Sequence, residues 1–198
     1  MKKALRLVFL TVMIFTLTIG QAFAESLLPI GGSEWDYNPY KWNDTAKLRS
    51  NCYQYAVLKM SSMEDKFKVQ PGYLSGREFD SLTKSSIVAA VKRDMKADDF
   101  GVKDFYETTK YAKPPKGYRK VALVIAPNVD YHWYEQNSNG YWSHKPGLSD
   151  VTDRDASGDR IADPETCDRY YVHVYTNRYG SYKQVVNYST FCGWFMVK

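Results

Sequence analysis

Arg49-Ser50-Asn51-Cys52-Tyr53-Gln54-Tyr55-Ala56-Val57 is the stretch on which the reading of this chain turns. Asn51 is a good helix N-cap, because its short side-chain oxygen accepts from a backbone N–H left unpaired in the first turn. Gln54 stands three residues later, where its amide reaches back to the Asn51 N–H and completes a capping box. The apolar-periodic run that follows predicts a helix from Asn51 to about Met60, with Thr45 as the alternative start. A start at Asn51 puts Cys52 in the first turn, where free N–H groups and the positive end of the helix dipole lower a thiol pKa. A start at Thr45 puts the cysteine mid-helix and removes that effect.

Outward from this stretch, the first 24 residues have the pattern of a secretory leader. Lys2, Lys3 and Arg6 precede an apolar run from Leu7 to about Ile19, and Ala22-Phe23-Ala24 is a small-x-small cleavage site. A single domain over 25–198 is expected, secreted or periplasmic, with no membrane attachment once the leader is removed. Without Lys2, Lys3 and Arg6 the chain keeps 24 basic and 22 acidic residues, a net charge of +2. That balance asks for no nucleic-acid partner. Tyrosine (17) and tryptophan (5) are abundant. Most are expected to pack in sheets, and those on the surface to contact sugars or peptides.

The arm from Glu25 to Asp44 is rich in Pro, Gly and aromatic residues, with Trp35, Tyr37, Tyr40 and Trp42 as anchors. Ser75-Gly76-Arg77-Glu78 has a second capping-box pattern. It heads an amphipathic run through Phe79, Leu82, Ile87, Val88, Val91 and Met95, a helix that ends before Phe100-Gly101. Val121 to Ala126 is a continuous apolar run and reads as the central strand. Tyr170–Tyr175, Gln184–Tyr188 and Phe191–Val197 read as further antiparallel strands.

Two of the three histidines fall in one hairpin. Tyr131 to Gln136 and Tyr141 to Lys145 flank Asn137-Ser138-Asn139-Gly140, with Gly140 suited to the left-handed position of a three-residue loop. If Asn137 pairs with Tyr141, Tyr134 pairs with His144. His132 and His144 then share a face as diagonal neighbours, roughly 6–8 Å apart at Cβ. A two-residue Asn139-Gly140 turn instead puts them on opposite faces. Cys52, His132 and His144 supply a nucleophile, a base and an orienter in that order, with Asp130 and Asn128 as substitute orienters. Against this stands the plainer reading of a buried structural cysteine and two surface histidines. His173, inside the alternating strand Tyr171-Val172-His173-Val174, is expected to pack.

A helix-borne cysteine followed by a sheet carrying a histidine and a third polar residue on the next strand resembles the papain-like superfamily. The likeness is closest to NlpC-type cell-wall peptidases and amidases, and it covers Asn51 to Ala56 and Val121 to Lys145. Trp142-Ser143-His144-Lys145-Pro146-Gly147 also resembles a motif of uncharacterised secreted bacterial proteins. The resemblance implies a papain-like α+β domain, its N-terminal helices packed on a mainly antiparallel sheet. It implies a cofactor-free cysteine hydrolase acting on a peptide or on peptidoglycan. Three features depart from it. Asn51-Cys52-Tyr53-Gln54 replaces the Asp-Cys-Ser-Gly motif, Gly-Asp-Leu is missing before the histidine strand, and no glutamine lies several residues before Cys52. The Cys52 N–H with Tyr37 or Tyr40 is the substitute oxyanion hole.

Cys52, Cys167 and Cys192 make an odd count. A disulfide between Cys167 and Cys192 leaves Cys52 free. Asp153, Asp155 and Asp159 alternate as in a calcium loop with Gly158 sixth, but Pro164 stands where the bidentate acid belongs, which favours a polar turn. A zinc site from the histidines has no short-range ligand spacing behind it. The reading from another class is a secreted, non-catalytic, aromatic-rich binding or toxin-like module. Oligomeric state is not legible.

Overall fold

The apolar run Val121–Ala126 lies at the middle of a five-stranded antiparallel sheet. The computed structural model describes residues 27–43, 49–59, 68–97, 104–147, 149–178 and 180–198. The leader, the alternative helix start at Thr45, Met60 and the Phe100-Gly101 boundary lie outside them. The strands are β1 (Phe105–Thr108), β2 (Arg119–Ala126), β3 (Asp130–Gln136), β4 (Trp142–His144), β5 (Tyr170–Asn177), β6 (Gly180–Asn187) and β7 (Thr190–Val197). The large sheet has the order β1-β7-β2-β3-β4, and β5 and β6 form a separate two-stranded ribbon.

The centre of the sheet follows from side-chain alternation. Val121, Leu123 and Ile125 face one apolar cluster with Trp133, Phe195 and the buried stretch Tyr53–Leu58. Ala122, Val124 and Ala126 face a second cluster with Tyr134, Trp142, Trp194 and the inner side of the ribbon. A strand covered on both faces has no solvated side, so its sequence shows no alternation of polar and apolar residues.

Helices are few among the described residues: α1 (Tyr40–Asn43), a π-helical segment (Gln54–Leu58) and α2 (Lys84–Asp94). The expected papain-like α+β architecture, with N-terminal helices packed on the sheet, is therefore not the one formed; antiparallel β structure carries the fold. The second capping box fails because its region is used otherwise. The backbone N–H groups of Gly72 and Ser75 donate to the buried Asp94 carboxylate at 2.7 and 2.9 Å, which holds this region in turns. The cap of α2 is Thr83, whose hydroxyl accepts from the Ser86 N–H.

The Asn51 capping box does form. The Gln54 N–H donates to Asn51 Oδ1 at 3.0 Å, and the Asn51 N–H donates to Gln54 Oε1 at 3.2 Å. The helix it opens is short and wide. It ends at Lys59, which is left-handed (φ 56°) and donates its N–H to the Gln54 carbonyl. The Arg119 guanidinium, projecting from β2, donates to the carbonyls of Ala56 and Val57. A buried cation thus satisfies carbonyl groups that a helix end leaves unpaired.

Candidate functional site

The histidine hairpin has the register that the longer loop predicts. The Asn137 N–H donates to the Tyr141 carbonyl at 2.8 Å, Gly140 is left-handed (φ 82°), and Tyr134 pairs with His144. His132 and His144 consequently meet, with His132 Nε2 and His144 Nδ1 2.8 Å apart. His144 Nε2 lies 2.9 Å from the Arg154 carbonyl, which only accepts. That fixes the proton of a neutral His144 on Nε2, so its Nδ1 accepts and His132 Nε2 donates. His132 Nδ1 is left as a bare acceptor.

Above this pair lies a cavity of about 480 Å³ whose roof is the ribbon. Asp130, His132, His144, Tyr171, His173 and Tyr188 are among its walls. The Asp130 carboxylate accepts from the Tyr188 hydroxyl and from the Tyr131 N–H, both at 2.8 Å. It is His144, not Asp130, that touches His132. Tyr171 and Tyr188 carried no signal in the sequence, because their place depends on how the ribbon docks across the sheet.

Cys52 lies on the other side. It packs with Tyr131 and Trp133 in the first cluster, whereas His132 follows Val124 and Tyr134 to the opposite face. Cys52 and His132 both line a hollow of about 130 Å³ at the strand end. Electrostatics also opposes a reactive pair. Burial, with Asp130 nearby, pushes the Cys52 thiol up to about 12, although the backbone N–H groups of Trp133 and Tyr53 act the other way. Burial pushes His144 down to about 4 and His132 well below the usual imidazole range. At neutral pH the site is a thiol and two neutral imidazoles, not a thiolate and an imidazolium. The first-turn dipole expected to activate Cys52 is outweighed by its removal from water.

The remaining candidates resolve individually. Asn51 caps the helix and donates its amide to the Val69 carbonyl. Tyr37 donates to the Val151 carbonyl at 3.4 Å, and Tyr40, 82% exposed, starts α1; neither lines the hollow at Cys52, so no oxyanion hole forms there. Cys167 and Cys192 are both free, Cys167 against the second cluster and Cys192 in the first. The sheet separates them, which rules out the expected disulfide. The Asp155 carboxylate accepts from the N–H groups of Ser157, Asp159 and Asp168, and Asp153 pairs with Arg160. These bonds make the 153–159 stretch a turn. Among the described residues no group of three His, Cys, Asp or Glu is arranged to hold a metal.

The chain is 35% identical over 138 residues to Insoluble matrix shell protein 1 of Ruditapes philippinarum, a match spanning 67% of this chain and 80% of that protein. It belongs to the insoluble matrix shell protein family. No family model and no solved structure matches it. Kinship with a clam matrix protein overturns the likeness to bacterial NlpC-type hydrolases and to secreted bacterial proteins. The cysteine-hydrolase reading and its peptidoglycan substrate fall with it. What the papain likeness rested on was order along the chain, a cysteine before two hairpin histidines.

Proposed function

We propose that this protein is an extracellular matrix component, a non-catalytic, aromatic-rich binding module that associates with further copies of itself through the β5–β6 ribbon. The observation that carries the reading is the similarity over 80% of a protein named for an insoluble matrix. The leader-like first 24 residues support export, and among the described residues no helix is long and apolar enough to cross a membrane.

The ribbon supports self-association. Its inner face, with Tyr171 and Val186, packs on the second cluster. By alternation and register the outer face carries Tyr170, Val172, Val174 and Val185, which are 43–58% exposed. Among the described residues β5 and β6 pair only with each other, so each keeps an open edge. Exposed valines beside open strand edges are an invitation to pair with another chain. Eight-residue strands give a face of roughly 26 by 10 Å. That is below the about 800 Å² per partner of a standard stable interface. One contact alone is therefore weak, and assembly shows at high concentration.

A pelleting assay tests this. The secreted chain is expected to form sedimentable material as its concentration rises. Val172→Glu with Val185→Lys should stay soluble, since these partners sit opposite each other and an ion pair preserves the ribbon. Equal pelleting of the two proteins, or none by the native chain, would contradict the proposal.

A further inference from the structure

A second cleft, of about 240 Å³, lies away from the histidines, between the N-terminal arm and the end of the π-helical segment. Trp42 and Tyr55 form its floor, their rings edge to face with centroids 5.0 Å apart. Trp35 forms a wall and is 51% exposed. Its backbone is fixed all the same: the Trp35 carbonyl accepts from the Ser138 N–H at 3.0 Å, and the neighbouring Asp36 carboxylate accepts from the Ser138 hydroxyl. An indole held half in water on a pinned segment, with two ammonium groups near its ring, keeps exposed ring surface for a partner while the cost of ordering it has already been met.

The polar groups around that ring are cationic and oxygen-rich. The Lys41 ammonium lies 5.6 Å from the Trp35 ring, and Asp36 and Asn38 sit beside it in the lining. Lys59, ion-paired with Glu135 beneath the floor, lies 4.4 Å from the Tyr55 ring, 5.7 Å from Trp35 and 5.8 Å from Trp42. Lys41 enters no ion pair among the described residues. The cleft thus combines a half-exposed indole, side-chain oxygens at its margin and one ammonium, Lys41, outside any ion pair among the described residues.

A pyranose ring presents one C–H face, a rim of hydroxyl groups and, in an acidic sugar, a fixed negative charge. Its C–H face covers an indole, its hydroxyls donate to Asp36 and Asn38, and its carboxylate or sulfate complements Lys41. An apolar peptide would leave the Lys41 ammonium without complement, Lys59 being already paired with Glu135. A neutral sugar would use only part of the site. We propose that this cleft binds an anionic polysaccharide, with Trp35 as the stacking platform and Lys41 as the charge contact. This assignment stands independently of self-association, since the cleft is floored by residues of the first cluster and the ribbon packs on the second.

The test is titration of the intact secreted chain with three hexasaccharides, a galacturonate, a chondroitin sulfate and the neutral cellohexaose, read by tryptophan fluorescence and calorimetry. At least one anionic oligomer is expected to bind, more tightly than cellohexaose and with an affinity that falls as salt rises. Trp35→Ala should weaken it by on the order of tenfold, Trp35→Phe by less, and Lys41→Gln should flatten the salt dependence. Preference for carboxylate or for sulfate identifies which anion the site takes. No binding by any oligomer overturns the assignment, as does unchanged affinity in Trp35→Ala with its circular dichroism intact. Equal affinity for poly-aspartate, which has charge but no pyranose face, overturns it too. Pelleting of Trp35→Ala reports separately on self-association.

Discussion

His132 and His144 are the residues whose chemistry is set most firmly by their surroundings. The Arg154 carbonyl dictates the His144 tautomer, and that tautomer dictates the proton on His132. Burial holds both neutral, His144 down to about 4. The sign of the linkage follows. In the unfolded chain both imidazoles take up protons below about 6.5, while in the native protein they do not, so the unfolded state binds more protons there. Their contribution to stability is complete above pH 6.5 and is lost as pH falls. For His144 the loss runs from about 6.5 down to about 4 and then levels off. It reaches on the order of 3 kcal/mol at pH 4. Urea denaturation midpoints should decline over this window, and the decline should shrink in His144→Gln. A midpoint flat from pH 7 to pH 4 would contradict a neutral buried pair.

The capping box Asn51–Gln54 is the element whose sequence signal was clearest, and it carries a stability prediction. Asn51→Ala removes the cap to the Gln54 N–H and the donor to the Val69 carbonyl, leaving buried groups unpaired. It is expected to cost about 2 kcal/mol, measured by urea unfolding. A loss under a few tenths would mean that the cap is not made. Local signals of this kind were legible elsewhere. The hairpin register followed from loop length and Gly140, and β2 from an unbroken apolar run. What could not be read depended on distant partners. The π-helical end relies on Arg119, more than sixty residues away. The turns at 72–75 rely on Asp94, which outcompetes a respectable capping box at Ser75. The four-residue β1 is too short to show a period. The histidine pair was legible because one hairpin contains it. The side of the sheet taken by Cys52 was not, because no local pattern places the N-terminal segment relative to β3.

At the scale of the molecule, two apolar clusters on either side of one sheet leave two distinct surfaces for contact. One is the outer face of the ribbon and the other is the aromatic cleft of the N-terminal arm. The interior is chemically quiet, with its thiol protonated and its imidazoles uncharged. The exterior presents ordered aromatic and aliphatic groups to a partner. That division suits a protein that holds a matrix together better than one that turns over a substrate. On this proposal the exposed valines and one tryptophan, not the buried cysteine and histidines, carry the contacts. The most direct measurement is sedimentation velocity of the native chain across a hundredfold range of concentration, beside Val172→Glu/Val185→Lys. Self-association through the ribbon predicts a sedimentation coefficient that rises with concentration for the native chain and stays at the monomer value for the variant. A native chain that remains monomeric throughout, or a variant that associates equally, would contradict the account.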